Sequence, residues 1–229
     1  MKILIVAAAN NEVKELRDKL NFITKFQDNL YNYEYGMLDI DILITGHGSV
    51  FMAYHLLKTL SLFNYDFVIN AGIAGSFDYF LELGFVVNVI QDQFADLGFE
   101  DHDSFFTLRE KEMFAEDSFP FTGEVLRSIG NFEIMEVESL IPVKAITVNT
   151  LHGKLDSIQK VKSRFNCEIE TMEGAAFFYI CLMEKVPFLQ IRAISYFVEL
   201  RKVENWNFTL ATKNLCVSVF EILRSLQDN

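Results

Sequence analysis

Along the chain, unbroken apolar runs alternate with stretches whose apolar residues recur every three or four positions. "KILIVAAA" (2–9), "DFVINAGIAGS" (66–76), "LGFVVNVI" (83–90), "PVKAITVNT" (142–150) and "FLQIRAIS" (188–195) have the continuous hydrophobicity of strands buried on both faces. "YNYEYGMLDIDILITG" (31–46) alternates about a turn at Gly36 and predicts a hairpin or two consecutive strands. Helical spacing fits "EVKELRDKL" (12–20), with Asn10 and Asn11 as cap candidates. It fits also "FMAYHLLKTL" (51–60), "LDSIQKVKSRF" (155–165), "ETMEGAAFFYICLMEK" (170–185) and "TLATKNLCVSVFEILRSLQ" (209–227). Residues 92–140 are the least regular part and read as a long excursion rich in Phe and acids.

Strands alternating with helices predict one α/β domain over residues 1–229, with helices on both sides of a mixed, largely parallel sheet in a three-layer αβα arrangement. In such sheets ligands gather beyond the carboxyl ends of the strands. That rule selects five segments: Asn10 to Glu12, Gly46 to Ser49, Ala71 to Ser76, Asn149 to Gly153 and Ser195 to Arg201.

Composition narrows the partners. With 20 Lys plus Arg against 32 Asp plus Glu, the formal charge is −12, which disfavours nucleic acid or an anionic membrane as the main partner. One nucleotide-sized ligand held by a few local groups remains compatible. Cys167, Cys181 and Cys216 form no CxxC pair and no metal-ligand spacing, so they read as core thiols in a reducing compartment, with no metal site. The opening apolar run is too short for a secretion signal or a membrane span, and the expectation is a cytoplasmic protein.

Three charged side chains sit where burial is expected. Glu12, one turn after a buried strand, either complements a helix dipole or is a carboxylate at the sheet's ligand-binding edge, able to activate water. Glu173 opens a small-residue helix with Gly174, Ala175 and Ala176 beside it. Shielded there, it is either a dipole partner or an acceptor for donors such as a sugar diol. Arg192, inside "FLQIRAIS", needs a carboxylate or a polar pocket. The "AGIAG" turn allows close backbone approach to a ligand or serves a tight connection, and it is neither a P-loop nor a GxGxxG fingerprint. His47 and His152 lie on candidate pocket loops, whereas His55 reads as structural.

Taken together, "AAANNEV", "VINAGIAGS", "ETMEGAA" and "PFLQIRAIS" resemble four segments of the nucleoside phosphorylase and nucleosidase superfamily. The likeness runs from Met1 to about Ala211, with little contribution from 100–140. "FADLGFED", "TVNTLHG" and "VELRKVENW" are similar to segments of its futalosine hydrolase branch, enzymes of menaquinone biosynthesis. The resemblance implies a nucleoside phosphorylase-like fold, cofactor-independent hydrolysis of a purine nucleoside, and a homodimer or higher homo-oligomer. It implies Glu12 as the general base, Arg192 near the attacking water, and Met172 and Glu173 on the ribose, with Ile73 also at the substrate. Val148, Asn149 and Leu151 would border the base.

Where the adenine-releasing nucleosidases carry an aspartate serving the leaving base, and futalosine hydrolases tend to have asparagine, this chain has Tyr196. The phenol donates to the base from a changed position, or stacks while another group donates, or impairs the site. Leu200 replaces a proline usual in the branch. Arg201 is the candidate partner for the carboxylate of futalosine. The alternatives are a methylthioadenosine/S-adenosylhomocysteine nucleosidase and a nucleoside-binding protein without turnover. A phosphorylase is disfavoured, because the loops at 46–49 and 71–76 contain no arginine to hold phosphate.

Overall fold

The first strand shows why continuous apolar runs mark the centre of this molecule. In a computed structural model, which describes residues 1–102, 104–108, 110–113, 118–128, 134–200 and 203–228, Ile3 to Ala7 are fully buried. Their strand, β1 (Lys2–Ala7), is flanked on both sides by parallel neighbours, β4 (Leu38–Ile44) and β5 (Phe67–Ser76). A strand enclosed in this way has no solvent face to make polar.

Around this centre run β2 (Asn21–Gln27), β3 (Leu30–Tyr35), β6 (Val86–Asp92), β9 (Leu126–Arg127), β10 (Ile141–Thr147), β11 (Ile169–Thr171) and β12 (Phe188–Phe197). The order is β11-β10-β6-β12-β5-β1-β4-β3-β2, with β9 on β6. The pairings from β12 through β5 and β1 to β4 are parallel, as are β6 to β10 and β10 to β11. The β2–β3–β4 edge and the β12–β6 pair are antiparallel. Because β11 also pairs with β5, strands β5, β12, β6, β10 and β11 close into a ring. A separate hairpin, β7 (Gly98–Asp101) with β8 (Ser104–Thr107), lies in the expected excursion.

Among the described residues six helices cover the sheet: α1 (Lys14–Arg17), α2 (Ser49–Leu62), α3 (Met135–Glu138), α4 (Leu155–Arg164), α5 (Gly174–Glu184) and α6 (Phe208–Asp228). On one face α2 and α5 bury Val87, Ile194, Phe177 and Phe188. The opposite face packs Ile5, Ile69, Leu189 and Ile191 against Leu215 and Val219 of α6. The α4 helix closes a third cluster around Ile146, Val148, Ile158, Phe165 and Tyr196. This is the three-layer αβα architecture with a mixed sheet that the pattern predicts.

Three local expectations change. The first helix is short: Asn10–Glu12 form a 3-10 turn, so the asparagines lie inside it and Ala9 is the cap. "AGIAG" is part of strand β5, because β12 pairs with it from Val68 to Ser76 and no turn intervenes. "NFITKFQ", which carries no apolar periodicity, forms the edge strand β2 with nearly every residue exposed. Among the described residues, no helix is long and apolar enough to cross a membrane. The three cysteines are free thiols, and burial pushes that of Cys181 well up.

Candidate active site

Two glycines on β5 decide what the carboxyl end of the sheet can hold. Arg192 on β12 is in register with Gly72, and a Cβ on Gly72 would lie 2.1 Å from Arg192 Nη1. The guanidinium occupies the space that a side chain at position 72 would take. Arg192 is 1% exposed, and among the described residues its Nε and Nη2 find no hydrogen-bond partner. Leaving such donors unpaired in a dry interior is costly, so they mark a place prepared for an acceptor.

Two carboxylates meet this cation. Glu12, carried on the 3-10 turn after β1, accepts from the Ala9 N–H at 2.9 Å through Oε2 and from the Ile73 N–H at 3.1 Å through Oε1. It therefore caps its own turn, as a first-turn acid should, and also reaches across to β5. Burial pushes its carboxyl above the usual glutamate range. Arg192 opposes the rise, Glu173 adds to it, and the two backbone donors oppose it. Glu173, at the N-terminus of α5, accepts from the Gly48 N–H at 2.9 Å through Oε1, and its Oε2 lies 3.9 Å from Arg192 Nη1. His47 Nδ1 stands 3.8 Å from Oε1. Gly48 points its N–H at Glu173 from a left-handed conformation (φ +101°) that suits glycine.

The next residues along the same strands face elsewhere. A register shift between Ile194 and Tyr196 brings Tyr196 opposite Gly75, of opposite parity to Gly72, and so onto the other face of the sheet. A Cβ on Gly75 would lie 2.4 Å from the phenol ring. Tyr196 stacks on Trp206 with centroids 4.5 Å apart, and its hydroxyl donates to Glu170 Oε1 at 3.2 Å. Glu170 is fully buried. Its other oxygen meets His152 Nδ1 at 2.7 Å, and the His152 N–H donates to Oε1 at 3.2 Å.

The segments flanking these groups also meet. Asn149 is exposed and donates its N–H to Asp96 at 2.6 Å, while its Oδ1 lies 3.9 Å from a Cβ built on Gly48. Val148 is buried, Leu151 half-buried, and Met172 offers its carbonyl to the Ser49 hydroxyl at 3.3 Å. Glu12, Arg192, Glu173, Met172 and Ile73 thus gather at one end of the sheet, Asn149 reaches the 46–49 loop beside them, and Val148 and Leu151 pack with the α4 cluster. Arg201 lies outside the described residues.

Sequence reasoning missed a polar layer beneath the ion cluster. Asp92 accepts from Gln190 at 3.0 Å and from the Thr147 hydroxyl at 2.9 Å; Gln190 in turn accepts from Asn70 at 3.2 Å. Burial pushes the Asp92 carboxyl up to about 6. A Cβ on Gly174 would lie 2.1 Å from Asp92 Oδ2, so the small residue at the start of α5 makes space for this acid. An aspartate directly after "VVNVIQ" was the available clue. Glu170 was hidden because "ETMEGAA" reads as one helix, whereas its first residues belong to β11. Among the described residues, no group of His, Cys, Asp and Glu is arranged to hold a metal ion.

A family model described as the phosphorylase superfamily matches residues 2–224. The chain belongs to that superfamily. Among curated members, a 5'-methylthioadenosine/S-adenosylhomocysteine nucleosidase of Aeromonas salmonicida is 29% identical, over 90% of this chain and 91% of its own. The Colwellia psychrerythraea nucleosidase is 27% identical over 85% and 83%. Its crystal structure in complex with adenine superposes with a TM-score of 0.80 at 22% identity, covering 99% of this chain and 96% of that one. Futalosine hydrolase of Helicobacter pylori gives a TM-score of 0.82 at 17% identity, covering 98% and 97%. Those structural likenesses establish the superfamily fold.

Proposed function

We propose that this member of the superfamily hydrolyses the N-glycosidic bond of a purine nucleoside. The observation that carries the reading is the buried Glu12–Arg192–Glu173 cluster, with two carboxylates around one guanidinium whose Nε and Nη2 are unpaired. Cleaving a ribosyl–purine bond builds positive charge on the sugar and negative charge on the base. Glu12, less acidic than an ordinary glutamate, takes a proton from water as its oxygen attaches to the anomeric carbon. Arg192 offers its free donors to that water, and Glu173 accepts the ribose hydroxyls beside Met172. No cofactor enters this chemistry.

The preferred substrate is futalosine, giving hypoxanthine and dehypoxanthine futalosine, a step of menaquinone biosynthesis. Supporting this are the branch-like segments and the lack of a carboxylic acid at position 196, a group that suits adenine by donating to N7 and accepting from N6. Arg201 is the proposed partner of the futalosine carboxylate, and Arg201→Ala should raise the apparent KM. The second reading, a methylthioadenosine/S-adenosylhomocysteine nucleosidase, is favoured by the names of the curated relatives. Incubation with futalosine, methylthioadenosine and inosine, with and without phosphate, separates them. Hypoxanthine released from futalosine without phosphate supports the first; adenine from methylthioadenosine supports the second. A strict phosphate requirement, or no base from any substrate, would sink both.

A homodimer or higher assembly in the cytoplasm completes the proposal. Val50, Phe51 and Tyr54 on one side of α2 are 76%, 56% and 60% exposed, apolar area suited to a second copy. A monomeric mass by sedimentation at micromolar concentration would contradict it.

A further inference from the structure

Position 196 raises a question of chemistry: if the tyrosine hydroxyl serves Glu170, another group must meet the departing base. We propose that His152, aimed by Glu170, is the proton donor to the leaving purine and favours a 6-oxopurine over a 6-aminopurine. This deepens the nucleosidase reading and rests on it.

The geometry is that of an oriented imidazole. Glu170 is fully buried, and among the described residues its side-chain partners are His152 and Tyr196. Its Oε2 at 2.7 Å holds the hydrogen of Nδ1, so the proton the imidazolium can give is the one on Nε2, and the His152 N–H and the Tyr196 hydroxyl fill its Oε1. A carboxylate so saturated cannot turn, and Trp206 stacked on Tyr196 holds the third member. Since Nδ1 faces the buried acid, the opposite ring edge, with Nε2, faces the concavity that His152 lines with Asp96, Val148, Leu151 and Lys154. The His152 side chain is 14% exposed there. That concavity belongs to the 148–153 loop, whose Asn149 reaches the same Gly48 that binds Glu173. In the proposed pose the ribose rests on Glu173 and the base lies across the 148–153 loop, towards His152.

The charged groups around the ring are Glu170 within, and Asp96 and Lys154 at the concavity. The imidazolium gives its Nε2 proton to N7 as the electrons of the anomeric C–N bond pass into the purine, while Nδ1–H stays on Glu170. Glu12 gains a proton from water in the same turnover, so solvent returns one proton to His152 and the balance closes. A 6-oxopurine shows acceptors at both N7 and O6, whereas a 6-aminopurine shows an acceptor at N7 and a donor at N6. Placed between N7 and position 6, a group that only donates meets acceptors alone on the first edge, and on the second it faces the N6 donor as well.

The test uses the full-length protein and two variants. In His152→Asn the amide nitrogen can replace Nδ1 on Glu170 while Nε2 is lost. In His152→Gln the amide can replace Nε2 without acidity. Substrates are futalosine, its 6-amino counterpart and p-nitrophenyl β-D-ribofuranoside, whose leaving group departs without a proton. Melting curves establish that each variant folds, and the one that does is used. The expected loss in kcat/KM on futalosine is about 100-fold, the range of general-acid removal. On the p-nitrophenyl riboside it is under about threefold, and the preference for futalosine over the 6-amino compound narrows. Wild-type activity on futalosine, or equal losses on all substrates, would overturn the proposal while leaving the nucleosidase reading intact. A wild-type protein that releases no base from any nucleoside defeats that reading itself.

Discussion

Gly72 and Gly75 stand three residues apart on β5, and each yields its side-chain space to a residue of β12. The outcomes are opposite. Over Gly72 lies Arg192, buried, charged, with Nε and Nη2 unbonded. Over Gly75 lies Tyr196, whose ring is stacked and whose hydroxyl is bonded. A folded chain tolerates unsatisfied buried donors only where something else supplies their partners, and it satisfies those that merely hold the structure. The comparison separates a place kept open for ligand and water from a place closed for support.

The largest effect should come from the open side. Glu12→Gln removes the base, and turnover should fall by about 10²–10⁴-fold. The same variant should melt higher than wild type near neutral pH, because it removes a carboxylate whose charge is disfavoured first by burial and then by the neighbouring Glu173. The sign follows from the raised carboxyl. Its contribution to stability is complete below the ordinary glutamate range and is lost as pH rises through the higher folded value. The gap in melting temperature should therefore widen with pH; a constant gap would contradict a buried, raised Glu12.

Gly72→Ala is expected next. The added methyl meets the far end of Arg192, which can yield, and Glu12 Oε1 at 3.1 Å. Activity should drop at least about tenfold, as a displaced catalytic group predicts, with stability changed by less than about 1 kcal/mol. At the closed side the order reverses. Gly75→Ala drives a methyl into a rigid, buried ring and should cost about 1–3 kcal/mol in denaturant unfolding. Smallest is Tyr196→Phe, which deletes the phenol's bond to Glu170 and leaves those from His152, and should cost about 1 kcal/mol. Loss of activity matching that of Glu12→Gln would show that the hydroxyl itself does chemistry.

Much of this was legible in the chain, and for a physical reason. Strands β1, β5 and β12 are buried on both sides, so their hydrophobicity could not be diluted. Glu12, Glu173 and Arg192 stood out because charge in such surroundings demands a partner, and they do converge. Strand β2 was invisible because an exposed edge imposes no apolar period. The glycines of "AGIAG" read as a turn because sequence alone does not show what sits above them; Arg192 and the Tyr196 ring give the reason for two of them. Likeness left Tyr196 to donate to the base, to stack or to impair the site; the bulge between Ile194 and Tyr196, a backbone event without a residue signature, sets its hydroxyl on Glu170 and its ring on Trp206. Glu170, His152 and Asp92 form contacts between segments distant in the chain, and no local pattern announces such pairs.

The most direct test of the central claim is release of free base from futalosine in phosphate-free buffer, followed by chromatography for wild type and Glu12→Gln side by side. The account predicts hypoxanthine from the wild type, unaffected by added phosphate, and almost none from the variant. Equal release by both proteins, or release only with phosphate, would contradict it.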